Sequence, residues 1–270
     1  MTAPLPRLMV APNGARRSKA DHPALPITID ETVETAIACQ QAGADGIHLH
    51  VRDKDVRHSL DAGLYREALA ALSEAAPGLF LQVTSEAGGR YDADAQRAMI
   101  RDLKPASVSV ALREMLANPS DADEAQAFYY WAMNEGVGVH HIVYSPDELR
   151  WLLSCIRDGL IPGQKHQLQL VLGSYTGTDL PSPSDLDGFL SLIEPQQEDA
   201  LSFDWMLCAF GTAETSCLVE AARRGGKMRV GFENSLWNAN GSVAKDNAER
   251  VAEVCAALNA LSQTLSPDDR

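Results

Sequence analysis

The chain has 270 residues, of which 45% are hydrophobic and 22% are charged, and these proportions exclude disordered, collagen-like and low-complexity proteins. It carries 23 lysines and arginines against 37 aspartates and glutamates, which gives a net charge of −14. A molecule with this charge repels phosphate backbones and anionic lipid headgroups, so neither nucleic acid nor a membrane surface is expected as a partner.

Short apolar runs rich in β-branched residues recur along the whole chain. They predict eight strands, at Leu8–Gly14, Gly46–Asp53, Leu79–Glu86, Ser107–Leu112, Gly138–Ser145, Leu168–Ser174, Asp204–Phe210 and Met228–Asn234.

Helical periodicity fills most of the gaps between these runs. Thr28–Glu31 has the pattern of a capping box, and the helix that it begins is expected to end at Gly43. Further helices are predicted after caps at Ser145 and Ser182, over 214–224, and finally over Val243–Leu261.

Eight strands that alternate with helices predict an α/β fold, a parallel (β/α)8 TIM barrel. An open, doubly wound sheet is the alternative. No linker or break in composition divides residues 1–270, so a single domain is expected. Functional groups of such a barrel lie at the carboxyl ends of its strands and in the loops that follow.

Two histidines lie near the end of the second predicted strand, in the sequence His-Leu-His. Because residues i and i+2 of a strand point to the same face, the imidazoles of His48 and His50 are expected to project together. Imidazole nitrogens are ligands of zinc and other transition metals. The alternative is two structural histidines that hydrogen-bond to neighbouring backbone.

The eighth predicted strand ends in a carboxylate and an amide, Glu233 and Asn234. Glu233 is expected to complete a metal site of two histidines and one carboxylate, which leaves positions open for a substrate. The competing interpretation pairs Glu233 with Arg229, four residues earlier on the same face.

Polar side chains at other strand ends suit a carboxylate substrate, which needs several converging donors. Hydroxyls are available from Thr84, Ser107 and Ser109, although each is also explained as a helix cap or a loop hydrogen bond. Asn13 and Arg16 follow the first strand, which lies beside the eighth in a closed barrel. Arg16 suits an anionic substrate or a coenzyme phosphate.

The five cysteines contain no Cys-x-x-Cys pair, and the amino-terminal residues do not read as a signal peptide. No stretch approaches the length of about 20 apolar residues that a membrane helix needs. A cytoplasmic location is therefore expected.

Several motifs, taken together, resemble the β-keto acid cleavage enzyme family. They are APNGARRSKADHPALPIT from Ala11, AGADGIHLHVRD from Ala42, VLGSYTG from Val171, RVGFENSLW from Arg229 and VAKDNAERVAEV from Val243. The resemblance implies a zinc-dependent (β/α)8 barrel, a homotetramer, and conversion of a β-keto acid and acetyl-CoA into acetoacetate and a new CoA thioester.

The resemblance also assigns roles to single residues. It implies that His48, His50 and Glu233 bind zinc, that Thr84 and Arg229 belong to the catalytic apparatus, and that Ser107 and Ser109 hold the substrate. From their places at the strand ends, Asn234 is expected to donate a hydrogen bond in the catalytic apparatus, and Asn13 and Arg16 to lie beside the substrate.

Two departures from the family pattern concern Asn234 and Arg16. A member of the family has an aspartate, assigned as the general base, at the position of Asn234. The amide of Asn234 takes no proton near neutral pH. The base is left open between Glu114, Glu214, Asp53 and a metal-bound water. Arg16 replaces a glutamate suited to a substrate ammonium, so a neutral or anionic substrate tail is expected.

The leading hypothesis is that zinc polarises the β-keto acid, whose enolate adds to acetyl-CoA before retro-Claisen cleavage releases acetoacetate and an acyl-CoA. One alternative is an aldolase or isomerase that uses a divalent metal without CoA. Another is a non-catalytic barrel that binds a small acid. Two imidazoles and a carboxylate also accept iron, manganese or cobalt.

Overall fold

The computed structural model describes residues 3–175, 180–194 and 201–264. In these ranges eight parallel strands close into a barrel, and two short strands pair outside it. The barrel strands are β1 (Leu8–Val10), β2 (Gly46–Leu49), β5 (Phe80–Thr84), β6 (Ser107–Ala111), β7 (Gly138–Val143), β8 (Lys165–Leu172), β9 (Ser202–Ala209) and β10 (Lys227–Val230); the outer pair is β3 (Val51–Arg52) with β4 (His58–Ser59).

The last barrel strand, β10, pairs with the first, β1, and this pairing closes the barrel. Met9 lies beside Arg229 of β10 on one side and beside Gly46 of β2 on the other. The predicted TIM barrel is therefore confirmed, and closure excludes the open sheet.

Helices alternate with the barrel strands along the described chain. They are α1 (Ile29–Ala42), α2 (Ala62–Ala75), α3 (Ala93–Leu103), α4 (Leu112–Met115), α5 (Ala122–Glu135), α6 (Pro146–Arg157), α7 (Asp187–Ile193), α8 (Glu214–Arg223) and α9 (Asn247–Thr264). The capping box at Thr28 and the left-handed cap at Gly43 bound α1 as predicted.

Alternation along the strands separates an apolar outer layer from an interior that is partly polar. Ile47 and Leu49 of β2 are buried in the apolar cluster that also contains Leu72 of α2. His48 lies between them in sequence and hydrogen-bonds to Gln82 of β5, inside the barrel. The interior of the barrel therefore carries polar groups up to its carboxyl end.

Several predicted element boundaries are wrong; for example, β1 ends at Val10 rather than Gly14, and β8 begins at Lys165 rather than Leu168. Strand β2 ends at Leu49 because the next residues leave the barrel to pair with β4. Strand β10 ends at Val230 because the chain turns at Gly231, where φ is +137°. The last helix begins at Asn247 rather than Val243, since Val243 forms an isolated antiparallel bridge with Trp237.

None of the helices in the described ranges combines the length and the apolar character that crossing a membrane requires.

Candidate active site

Three buried ligand atoms converge at the carboxyl end of the barrel. His48 Nε2 and His50 Nε2 are 3.1 Å apart. Glu233 Oε2 is 3.3 Å from the His50 nitrogen and 3.6 Å from the His48 nitrogen. The structure therefore brings together the three residues that the sequence predicts as metal ligands.

His48 and His50 converge although only His48 lies within β2. The carbonyl of His50 accepts a hydrogen bond from Asn13 Nδ2 at 3.3 Å, so a side chain of the β1 loop holds this backbone after the strand has ended. Asn13 Nδ2 also donates to the carbonyl of Pro26 at 3.0 Å.

Glu233 reaches the histidines from a turn rather than from a strand. A side chain at Gly231 would place its Cβ 2.6 Å from the carbonyl oxygen of Ala11, and φ there is in the region that favours glycine. The Glu233 N–H donates to that same carbonyl at 3.0 Å. Gly14 packs against the Glu233 side chain, where an added Cβ would lie 2.6 Å from Cγ.

The buried environment keeps both imidazoles neutral and the carboxylate ionised. Burial lowers the pKa of His48 to about 3 and that of His50 to about 4. Burial acts to raise the pKa of Glu233, but the neighbouring Arg229 guanidinium acts in the opposite direction, and that pKa lies well below 4.5. Neutral imidazole and ionised carboxylate are the forms that bind a cation.

The spacing of the three atoms fits a divalent metal. A zinc ion bound tetrahedrally at about 2.0–2.1 Å from each ligand separates neighbouring ligand atoms by about 3.3 Å. The observed separations of 3.1, 3.3 and 3.6 Å bracket that value. Glu233 Oε2 is buried without a hydrogen-bond partner in the described chain. Buried polar atoms normally have a partner, and a bound cation would supply one here.

An outer hydrogen bond fixes the orientation of His48. Its Nδ1 lies 2.9 Å from Gln82 Oε1, an acceptor, so Nδ1 carries the proton and Nε2 presents its lone pair to the other two ligands. The Gln82 amide nitrogen in turn donates to Ser107 Oγ at 3.2 Å and to His140 Nδ1 at 2.9 Å.

A cavity of about 350 Å³ opens above the three ligands, with His48 and Glu233 in its wall. Its other charged and polar side chains are Arg16, Thr84, Glu86, Arg113, Glu114, Tyr144, Ser174, Tyr175, Arg229 and Asn234. The cavity is large enough for a small organic acid in contact with the cation site.

Four of the remaining predicted site residues line this cavity. Thr84 is buried, and its Oγ1 accepts a hydrogen bond from the N–H of Glu86 at 3.0 Å. Arg229 Nη2 donates to Glu233 Oε1 at 2.9 Å. Asn234 Nδ2 is buried without a partner in the described chain. Arg16 is exposed at the rim, where its guanidinium lies 5.3 Å from the centre of the Tyr175 ring.

The other three predicted residues, Asn13, Ser107 and Ser109, are buried outside the cavity wall. Asn13 holds the backbone of His50, and Ser107 supports Gln82 beneath His48. The Ser109 hydroxyl has no partner in the described chain. Their predicted contact with the substrate stays a prediction.

Of the carboxylates considered as bases, only Glu114 lines the cavity. Glu214 is fully buried and pairs with Arg250 Nη2 at 2.8 Å, while its other oxygen accepts the N–H of Gly231. Asp53 pairs with Arg90 at 3.2 Å, away from the cavity.

Sequence reasoning missed Glu86, a third carboxylate in the cavity wall. The signal was present, because Glu86 follows Thr84 at the i+2 spacing of the predicted third strand. It also missed Tyr144 and Tyr175, whose contribution depends on the conformation of the loops.

The buried histidines outside the ligand set predict acid sensitivity. Burial lowers the pKa of His140 to about 3 and that of His141 well below 6.5. Below pH 6.5 these two histidines take up protons in the unfolded chain but not in the folded chain. The free energy of unfolding is therefore highest above pH 6.5 and decreases as the pH falls below it. In urea titrations with a chelator, we expect the free energy of unfolding to fall by about 1.4 kcal/mol per pH unit for each such histidine.

His141→Phe is the matched control for this slope, since its ring packs beside those of Tyr129 and His166 and does not line the cavity. Between pH 6.5 and 5, the free energy of unfolding of this variant should depend less steeply on pH than that of the wild type, by about 1.4 kcal/mol per pH unit. A free energy of unfolding that is constant over this range in both proteins would contradict the prediction.

Comparison with known families and proteins yields a family and several relatives. Residues 7–269 match the family model described as beta-keto acid cleavage enzyme. A 3-oxoadipate:acetyl-CoA acetyltransferase of Cupriavidus necator is 27% identical over 256 residues, which cover 92% of this chain and 87% of that protein. A 3-keto-5-aminohexanoate cleavage enzyme of Fusobacterium nucleatum is 26% identical over 263 residues, which cover 95% and 92%.

Solved structures support the fold. ObcA in a binary complex with oxaloacetate superposes with a TM-score of 0.69 at 18% identity, covering 92% of this chain and 66% of that one. Type I 3-dehydroquinate dehydratase from Clostridium difficile gives a TM-score of 0.61 at 12% identity, covering 98% and 95%. At these identities the likeness concerns the barrel alone.

Proposed function

The chain belongs to the β-keto acid cleavage enzyme family, and from this premise we propose that it converts a β-keto acid and acetyl-CoA into acetoacetate and the CoA thioester of the remaining acyl group. Relatives of the family carry names that describe acetyl-CoA-dependent transfer or cleavage of keto acids. These names support an enzyme that acts on β-keto acids. The requirement for a divalent metal and the acetyl-CoA reaction are proposed.

The observation that carries this proposal is the convergence of His48, His50 and Glu233, two of which, His48 and Glu233, line a cavity. A divalent cation bound there, zinc in the first instance, would supply Lewis-acid polarisation of a keto oxygen. Neutral imidazoles and one carboxylate leave such a cation with a net positive charge that an anionic acid can share.

Side chains around the cation site are proposed to bind the substrate. Asn234 Nδ2 is a donor with no partner in the described chain, so it is free to donate to a carboxylate or keto oxygen. Thr84 lines the cavity wall, and we propose that it lies near the reacting carbons of the substrate. Arg229 holds Glu233 in position, and Ser107 acts on His48 only through Gln82.

Arg16 is proposed to select the substrate tail. Its guanidinium lies at the rim of the cavity and forms no ion pair in the described ranges. Its positive charge disfavours a cationic tail, and a neutral or anionic tail is expected. A homotetrameric assembly is a proposal that rests on the family resemblance, and a cytoplasmic location is a proposal that rests on the cysteine spacing.

The test is an assay of purified, metal-analysed protein with acetyl-CoA and a panel of β-keto acids whose tails are anionic, neutral or cationic. We expect acetoacetate and the matching acyl-CoA to form in equal amounts, with the cationic tail turned over most slowly. Exhaustive chelation should abolish turnover, and added zinc should restore it.

Parallel reactions without acetyl-CoA separate the alternatives. Consumption of the keto acid in these reactions would indicate an aldolase or isomerase. Stabilisation of the protein by keto acids without any turnover would indicate a binding protein. Full activity after the metal has been removed would overturn the metal-dependent reaction.

A further inference from the structure

The backbone of Glu86 is fixed on both sides at the carboxyl end of β5. Its N–H donates to Thr84 Oγ1 at 3.0 Å, and its carbonyl accepts a hydrogen bond from His58 Nε2 at 2.8 Å. Its side chain lines the same cavity as His48 and Glu233. Glu86 therefore presents a carboxylate from a rigid support towards the space above the cation site.

No ion pair or hydrogen bond engages the Glu86 carboxylate within the described ranges. Glu114, the neighbouring carboxylate in the cavity, differs in this respect. Its Oε2 accepts hydrogen bonds from the N–H of Ala87 at 3.0 Å and from Gln96 Nε2 at 2.7 Å. These two hydrogen bonds act to lower the pKa of Glu114, although burial raises it overall, and they hold the carboxylate in place. The Glu86 carboxylate has no such anchor and is free to exchange a proton.

We propose that Glu86 is the general base that removes the proton from C2 of the β-keto acid and later returns it, an inference that rests on the proposed function. The C2–H bond breaks, the proton moves to a Glu86 carboxylate oxygen, and the electron pair passes into the enolate. The enolate C2 then bonds to the acetyl carbon of acetyl-CoA, and the acetyl C–S bond breaks to release CoA thiolate. The thiolate adds to the C3 keto carbon, the C2–C3 bond breaks to leave the acyl-CoA, and the resulting enolate of acetoacetate takes the proton back at C2. The proton balance over the cycle is zero.

The electrostatic environment suits this role. Burial, together with the negative charges of Glu233 and Glu114, raises the pKa of Glu86 to about 7, although Arg16 and Arg229 act to lower it. A general base works best when its pKa is close to the operating pH, because it is then both available and strong enough to take a proton. The amide of Asn234 cannot serve, and the other candidate carboxylates lie outside the cavity or are anchored.

The experiment compares Glu86→Gln with Glu114→Gln, two substitutions of the same size and charge in one cavity. Exchange of C2 hydrogens for deuterium is followed by NMR in D2O with a β-keto acid and no acetyl-CoA, after subtraction of the uncatalysed rate. Turnover with acetyl-CoA and bound metal are measured on the same samples. Substituting a general base typically costs about 10²–10⁴-fold in rate.

For Glu86→Gln we expect loss of the catalysed exchange, a fall in kcat of at least about 100-fold, little change in KM, and full metal content. Glu114→Gln should keep measurable exchange and lose less than about 10-fold in kcat, because the Glu114 carboxylate is anchored by Ala87 and Gln96 and does not take the proton. Glu86→Ala provides a second variant, in which added formate should restore part of the exchange.

Exchange and kcat within about threefold of wild type in either Glu86 variant would overturn the role of Glu86 while leaving the proposed function intact. Greater loss in Glu114→Gln than in Glu86→Gln would transfer the role to Glu114. A wild-type protein that fails to form acetoacetate from any β-keto acid would instead overturn the proposed function, and this inference with it.

Discussion

His48→Ala is expected to strip the metal from the protein and to lower turnover by more than about 100-fold. Loss of a group that only orients a metal ligand typically costs about 10–100-fold in metal affinity or activity, and loss of the ligand itself costs more. The variant keeps only His50 and Glu233, and it also leaves Gln82 Oε1 without the imidazole that lies 2.9 Å away. Elemental analysis of untagged protein should give about one metal ion per wild-type chain and almost none in the variant.

His166→Gln is the matched control for this experiment. His166 is also a buried histidine of a barrel strand, but it lies near the amino end of β8, where its ring packs beside His141 and Phe203. This variant should retain its metal and its activity. A wild-type protein that neither contains nor takes up metal would show that His48 and His50 are structural, and metal retained in His48→Ala would exclude His48 as a ligand.

The convergence of His48, His50 and Glu233 could be predicted because it depends on two properties of the sequence. Residues at i and i+2 face the same way, and all strands of a parallel barrel end on one rim. Both properties hold for His48, and they give the right result for His50 and Glu233 even though each lies beyond the end of its strand. In the loop after β1, Asn13 hydrogen-bonds to the backbone of His50, and Gly14 packs against the Glu233 side chain. These contacts keep both side chains directed towards the site beyond the ends of their strands.

The depth of a side chain within the barrel could not be predicted. Ser107 and Ser109 occur on a strand that faces the site, yet they lie below the cavity wall. The stagger between neighbouring strands decides this depth, and no single strand encodes it. Ser109 is paired with Thr84 across β5 and β6, but only Thr84 reaches the cavity.

The state of a carboxylate was equally hidden in the sequence. Glu86 and Glu114 are chemically alike, and only the folded chain shows that Ala87 and Gln96 engage one of them. The sequence left Glu214 open as a candidate base, but in the structure it forms a buried ion pair with Arg250. Which acidic residue can exchange a proton is thus a property of hydrogen-bond partners that lie far apart in the chain.

Arg229→Met is expected to destabilise the metal-free protein by about 3–5 kcal/mol, because it leaves a buried carboxylate without its counter-charge. Arg229 is only 4% exposed, and its Nη2 lies 2.9 Å from Glu233 Oε1. It also lies 3.4 Å from Asn234 Oδ1 and from Cys208 Sγ. The measurement is the free energy of unfolding from urea titrations in the presence of a chelator.

The double variant Arg229→Met/Glu233→Gln separates loss of packing from loss of charge compensation. Removal of the carboxylate removes the uncompensated charge, so the double variant should recover most of the lost free energy of unfolding. Added zinc should stabilise the Arg229→Met single variant, in which Glu233 can still bind it, but not the double variant, because a cation can replace the guanidinium only where the carboxylate remains. Equal stability of the single and double variants under chelation, and no response of the single variant to zinc, would show that the charge of Glu233 needs neither partner. The opposite result would mean that one carboxylate is held by two cationic groups, a permanent one at Oε1 and an exchangeable one at Oε2, and this arrangement would let the protein fold before its metal binds.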